Sequence, residues 1–373
     1  MRFLADVNLS RRLTLASGEF RSPGFPERSQ RDEVKEKACR RSTSPRAFDA
    51  EIVALVRSGA HVFPESCTRR HIAGQIAFIT RRCSERRFFL RPDDYINQSI
   101  PYELGRAAER HGQQVYGVMA MSNHVHLAVG DTTGDRSYFM RDSMSGIARS
   151  RNRDLNREGH FWESGSYNDT VLLDQDAIER KLLYTWLNPV QAGLVERAED
   201  WPGFKILPKH WGETIRIEKP AKFYGIDSPD VVEFTPQPPP GYDDMTLEEV
   251  KEHFEKRLRR AEDEIAQVRR EINEEVCGAE RVKKVSTDAS PTREESNQSR
   301  RIPRFATRNS KLMDVARKRY RAFKDRYETR RQRWVNGKKG VIFPCGTVQL
   351  KRCAPIKCDD PPEDEPGLFA TAG

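Results

Sequence analysis

The sequence predicts an α+β domain, a central antiparallel sheet with helices on one side, followed by a helical and disordered C-terminal extension. Three observations predict it. Apolar residues alternate with others around His124-Val125-His126, the period of two that a strand requires, and 73–81, 113–120 and 124–130 read as strands. Stretches at 92–111, 136–155 and 175–188 carry helical spacing instead. The two patterns interleave within about 69–205, while the flanks are polar, so one modest core is expected, with the sheet at its centre.

In chain order, residues 1–68 are rich in Arg, Ser, Pro and Glu with one apolar stretch, Ala50 to Val56, and are expected to be mostly disordered. The compact domain spans 69–205. Its last strand is expected near 167–173. Its last helix, 175–188, starts on the acidic Asp174-Gln-Asp176 and is expected to stop at Asn188-Pro189 before Gly193. A Pro-rich linker, 206–245, contains Thr235-Pro-Gln-Pro-Pro-Pro-Gly241, a stiff spacer. Thr246-Leu-Glu-Glu249 forms a capping box and opens a coiled-coil-like helix at 246–277. Phe254, Leu258, Ala261, Ile265, Val268 and Ile272 make its seam, which either docks on the body or pairs with a second copy in a homodimer. A flexible linker (278–308), a basic helix (309–336) and a tail (337–373) complete the chain.

Composition narrows the function. The 373 residues hold 65 Lys and Arg against 56 Asp and Glu, a net charge of +9 that favours polyanionic partners. Seven cysteines are too few for a disulfide scaffold and fit a reducing, cytoplasmic setting. Mean hydropathy is −0.78 and no apolar run approaches membrane-spanning length, so no membrane partner is expected. There is no G-x-x-x-x-G-K-[ST] run, so an ATP-driven machine is not expected. Cys345, Cys353 and Cys358 lack the repeated tight spacing of a structural zinc knuckle.

His124-Val125-His126 carries the most chemical information. On a strand both imidazoles leave one face while Val125 enters the core, which makes half a metal site. On the helix about 60 residues later, Tyr184 and Asn188 lie four apart and share a face. A phenol and a carboxamide there could meet the His pair as nucleophile and third ligand; alternatively Tyr184 is a half-buried core aromatic and Asn188 a helix-terminal residue. Arg81, Arg82, Arg86 and Arg87 cluster after the first strand, as a phosphate track or a solvated loop. Trp162, beside His160, either stacks on a base or fills the edge of the core. In the basic helix, Leu312, Ala316, Tyr320, Phe323, Tyr327 and Trp334 form one stripe, leaving Arg317, Lys318, Arg319 and Arg321 on other faces as candidate DNA contacts. The rival account has the stripe docked and those charges merely solvated.

Met-Ser-Asn-His-Val-His-Leu127 followed by Tyr184-(x)3-Asn-Pro-Val-(x)-Ala-Gly-Leu-Val195 resembles the signature pair of the single-tyrosine HUH transposases, with the REP-associated branch matching best. Gly159-His-Phe-Trp162, Ser166-Tyr-Asn-Asp-Thr-Val-Leu-Leu173 and the segment Gln75–Thr80 with Phe88-Phe-Leu90 are similar to that branch too. The resemblance covers about 70–205 and leaves both flanks unexplained. It implies an HUH-type domain at 69–205 that acts on single-stranded or hairpin DNA. It implies Mg²⁺ or Mn²⁺ held by His124, His126 and Asn188, with Tyr184 forming a covalent 5′-phosphotyrosine. Ligand softness alone would have placed a borderline metal such as zinc on two imidazoles. Two alternatives stay open: a non-catalytic hairpin-DNA-binding protein on the same fold, and another HUH nickase such as a replication initiator or relaxase.

Overall fold

In a computed structural model, the described residues are 69–165, 167–291, 303–348, 350–351, 354–362 and 365–369. The N-terminal extension of 1–68, Ser166 and Cys353 lie outside them. The described residues form two compact units, His71–Lys318 with the stretch from Pro362, and Arg319–Pro361 with Arg69 and Arg70.

The first unit is α+β. Its elements are β1 (Gln75–Arg82), α1 (Asp94–His111), β2 (Gln113–Ala120), β3 (His124–Asp131), α2 (Arg136–Asp154), β4 (Asn168–Leu172), α3 (Gln175–Gln191) and the short β5 (Lys205–Ile206). The hairpin β6 (Ile215–Glu218) and β7 (Val231–Phe234), α4 (Leu247–Glu271), α5 (Ala279–Lys284) and β8 (Phe305–Ala306) follow. The sheet runs β5-β2-β3-β1-β4-β8. β1 pairs antiparallel with β3 from Gln75↔Asp131 to Arg82↔His124, and with β4 on its other side. The edge strand β8 joins β4 in parallel, so the sheet is mixed.

Helices cover both faces, where the sequence pointed to one. Ala77, Ile79, Val125, Leu127 and Val129 pack against α1 and α2. Ile76, Phe78 and Ala128, the alternate residues, pack against α3 and α4. Ile76 to Ile79 on β1 accordingly reads as a continuous apolar run, as suits a strand covered on both faces. Local chemistry sets the helix limits. Asp93 accepts from the Ile96 amide at 3.0 Å to start α1, and Gly112, at φ +55°, ends it. Asp174 accepts from Ala177 at 2.8 Å to start α3.

α3 does not stop at Pro189 but runs through it to Gln191. The stop is at Gly193, at φ +67°: its amide donates to Val190 O (3.1 Å) and the Leu194 amide to Pro189 O (3.0 Å), a Schellman closure. The expected linker over 206–245 differs as well. It holds β5 and the β6–β7 hairpin, which packs on α1 so closely that a Cβ at Gly105 would stand 2.6 Å from Phe234 and 2.8 Å from Val232. The first part of the α4 seam is filled from within the chain, while Ile272 at its end is 55% exposed. Phe254 is fully buried, with ring centroids 5.9 Å from Trp186 on α3 and 5.1 Å from Trp211. Periodicity reveals an apolar stripe but not what covers it.

A buried ionic cluster ties the far end of the sheet together. Arg136, at the start of α2, lies 3.2 Å from Asp131 at the end of β3 and 3.4 Å from Asp169 on β4. His71 meets Asp169 at 3.1 Å. Removing one partner from such a group leaves an uncompensated buried charge and is strongly destabilising.

The second unit is small. The C-terminal part of α6 (Ser310–Val335), β9 (Ile342–Phe343) and β10 (Lys357–Cys358) surround a core of Tyr327, Val341, Phe343 and Leu350. Phe323 is buried beneath the Arg70 guanidinium, 5.6 Å from the ring centre. No helix among the described residues is long and apolar enough to cross a membrane.

Candidate active site

β3 begins at His124, and its alternation delivers both imidazoles to the face covered by α3 while Val125 enters the opposite core. The two rings lie 4.6 Å apart, nearly perpendicular. Thr80 Oγ1, directly across the ladder on β1, meets His126 Nδ1 at 2.8 Å, and Asn123 Oδ1 meets His124 Nδ1 at 2.7 Å. With each Nδ1 engaged by a side-chain oxygen, Nε2 is the nitrogen left to accept or to ligate. Asn188 Nδ2 donates to His126 Nε2 at 3.0 Å across the gap between helix and sheet.

One turn earlier on α3, Tyr184 is 40% exposed, and its ring lies edge-on to His126 at 5.4 Å. The four residues that sequence reasoning paired across about 60 positions therefore meet at one place. Two more were missed. Phe78 stacks under His126 at 5.3 Å, touches Tyr184 edge-on at 5.7 Å and forms the floor of the site. Lys181 holds its ammonium 4.8 Å above the Phe78 ring and 5.1 Å from that of Tyr184. The i, i+3 spacing from Lys181 to Tyr184 was a usable signal. Phe78 carried none beyond being a strand aromatic.

Arg81 and Arg82 divide by strand parity, while Arg86 and Arg87 lie in the turn after β1. Arg82 sits opposite His124 in the ladder, and its charge acts on His124, His126 and Tyr184. Arg86 also acts on His124. Its backbone is left-handed, at φ +58°, with its carbonyl accepting from Asn123 Nδ2 at 3.1 Å, so the residue that orients His124 also fixes this turn. Arg81 points away, donating to Gly165 O at 3.2 Å, with Trp162 beneath it at 5.9 Å. Arg87 is engaged by Glu85 and by Asp288 O at 2.8 Å. Trp162 fills the edge of the core, with its indole N–H donating to Met144 O at 2.8 Å, so it offers no face for stacking on a base. On α6 the stripe is turned inward, Ala316 and Phe323 both being 3% exposed, while Arg317, Lys318 and Arg321 face outward. Arg319 on the same helix is half-buried.

Burial sets the protonation states. It lowers His124 to about 4, reinforced by Arg82, and lowers His126 further below the ordinary imidazole range, reinforced by His124 and Lys181. His71 is likewise lowered, first by burial and then by Arg136. Burial raises the Tyr184 phenol, and Arg82 opposes the rise. Three imidazoles are thus neutral in the fold. In the unfolded chain they take up protons below about pH 6.5, so the unfolded state binds more protons in that range. Their contribution is fully present above pH 6.5 and is lost as pH falls towards 4. The urea midpoint in chelator should accordingly be lower at pH 5 than at pH 7, and equal midpoints would contradict this protonation scheme.

The donor set suits a divalent ion with two nitrogens and an amide oxygen. Both imidazoles are neutral and oriented through Nδ1, and rotation of the Asn188 carboxamide brings its oxygen to the same point. Among the described residues no group of three or more His, Cys, Asp or Glu could hold a metal.

No family model matches the chain, and no curated protein matches it. Among solved structures, a REP-associated tyrosine transposase bound to a REP hairpin is similar with a TM-score of 0.33 and 16% identity, over 39% of this chain and 84% of that chain. A likeness at that level bears no weight on function, which rests on the geometry of the site.

Proposed function

We propose that the chain is a DNA strand transferase that cleaves and rejoins single-stranded DNA, at hairpin-flanked sites, through a covalent tyrosine intermediate. One observation carries the reading. A half-exposed phenol, two oriented neutral imidazoles and a carboxamide converge from a rigid strand and a facing helix, with Tyr184 5.4 Å and Asn188 3.0 Å from His126. The sequence resemblance supports the same reading. His124, His126 and Asn188 would hold Mg²⁺ or Mn²⁺, which, when bound, supplies charge neutralisation at the non-bridging oxygens of the scissile phosphate. Tyr184 attacks the phosphorus. The new Tyr Oη–P bond forms as the P–O3′ bond breaks, the phenol loses its proton, and the leaving oxygen departs as a 3′-hydroxyl. Arg82 favours the phenolate by charge, and Lys181 places a second cation beside the incoming phosphate. The phosphotyrosine preserves a phosphodiester, so a 3′-hydroxyl can reverse the step without an energy source.

Replacing His126 by Ala should abolish cleavage of a labelled hairpin oligonucleotide in Mn²⁺. Binding should stay within a few-fold, because phosphate contacts supply most affinity. Asn188→Ala should act in the same direction but more mildly, since water can replace one ligand of three. Collapse of binding together with cleavage in both variants would show that the cluster is structural.

A further inference from the structure

We propose that the Arg319–Pro361 unit is a nucleic-acid-binding module that grips the phosphodiester backbone, independent of base sequence and outside the tyrosine site. Its 43 residues carry twelve Lys or Arg against four Asp or Glu, a net +8, whereas the whole chain carries +9. Nearly all the surplus positive charge thus belongs to this unit, and the other 330 residues are close to neutral. The unit also has its own core, Tyr327, Val341, Phe343 and Leu350, which fixes α6 as a rigid platform with its aromatic side turned inward.

What remains outward is cationic. Arg321, Lys324, Arg333, Lys338 and Lys339 are exposed, and no ion pair holds them among the described residues. Arg326 and Arg331, by contrast, pair with Asp359 at 2.5 Å and Glu328 at 3.4 Å. The exposed five run from the middle of a helix into the turn after it; at about 3.6 residues per turn Arg333 stands about half a turn round from Lys324, so the positive charge covers more than one side of the unit. This chemistry suits a polyphosphate strand and not a lipid surface. A membrane-binding helix must offer an apolar face for insertion, and here that face is spent on the core. Ile342, 44% exposed, is the only large hydrophobic of the described part of this unit that is notably exposed. Such a module would bind whether or not Tyr184 acts as a nucleophile and strands are cut.

The test uses the full-length Tyr184→Phe protein, in which no cleavage disturbs the equilibrium. Arg321, Lys324, Arg333, Lys338 and Lys339 are changed together to Gln, and binding to a mixed-sequence single strand is followed by fluorescence anisotropy across salt concentrations. Each phosphate that the protein no longer neutralises lowers the slope of log K against log salt by roughly 0.7. A fall of about 1.4 or more is expected, which corresponds to roughly ten-fold weaker binding at 0.15 M salt. A companion variant that exchanges Lys and Arg at the same positions should keep the parental slope, and both should keep the parental far-ultraviolet circular dichroism and Tm. An unchanged slope in the Gln variant overturns the proposal, as does an equal loss in the charge-conserving variant. Loss of binding to phosphatidylserine vesicles with binding to the oligonucleotide intact would assign the surface to lipid and overturn it too.

Discussion

Tyr184→Phe is expected to eliminate the denaturation-resistant protein–DNA adduct and to slow cleavage by on the order of 10³-fold or more, the scale seen when a covalent nucleophile is removed. The substitution deletes one oxygen and keeps the ring, so the edge contacts with Phe78 at 5.7 Å and His126 at 5.4 Å remain. Hairpin affinity should therefore stay within about two-fold, because the phosphate contacts that dominate binding are untouched. The phenol's position makes the loss specific. Tyr184 is the tyrosine that stands beside the His pair, its ring 5.4 Å from that of His126, whereas Tyr167 precedes β4. Parallel denaturing gels with Mn²⁺ read both quantities, and an adduct as strong in the variant as in the parent would remove Tyr184 from the reaction.

The second large effect concerns stability. Phe254→Ala should cost about 3–5 kcal/mol, the usual range for removing a fully buried aromatic. Phe254 is 0% exposed and sits among Trp186, Trp211 and Tyr242, with ring centroids 5.9, 5.1 and 5.3 Å away. Trp186 lies two residues beyond Tyr184 on α3, so α4 braces the helix that presents the nucleophile. Shortening the chain before residue 246 would strip that brace and lower cleavage through stability, which is why charge substitutions and not truncation isolate the basic unit. Urea unfolding measures the loss. A change below about 1 kcal/mol would mean that α4 is not docked in solution as it is here.

Much of this arrangement was legible in the sequence where short-range rules govern. The strand at β3 and the face shared by His124 and His126 follow from a period of two. The start of α3 follows from Asp174, and the shared face of Tyr184 and Asn188 from i, i+4 spacing. What was not legible depends on partners distant in the chain. One miss is local instead: the helix continues past Pro189 because closure is supplied by Gly193 and Leu194. The stripe on α4 found its cover in Trp186 and Trp211, which periodicity cannot name. β8 joins the sheet in parallel beside β4 from more than 130 residues away. Arg82 and Arg81 are neighbours in sequence, yet strand parity gives one to the site and takes the other from it. Trp162 looks like a stacking residue among the aromatics of the sequence, but its N–H is satisfied by Met144 O inside the core.

The central claim is that Tyr184 becomes covalently joined to DNA. Mapping the attachment residue tests it most directly: incubate the parent protein with a labelled single-stranded hairpin oligonucleotide and Mn²⁺, denature, digest with protease and nuclease, and sequence the nucleotide-bearing peptide by mass spectrometry. A nucleotide linked through a phosphodiester to Tyr184, absent when chelator is added, is the predicted result. Attachment at any other residue, or cleavage with no covalent intermediate, would contradict it.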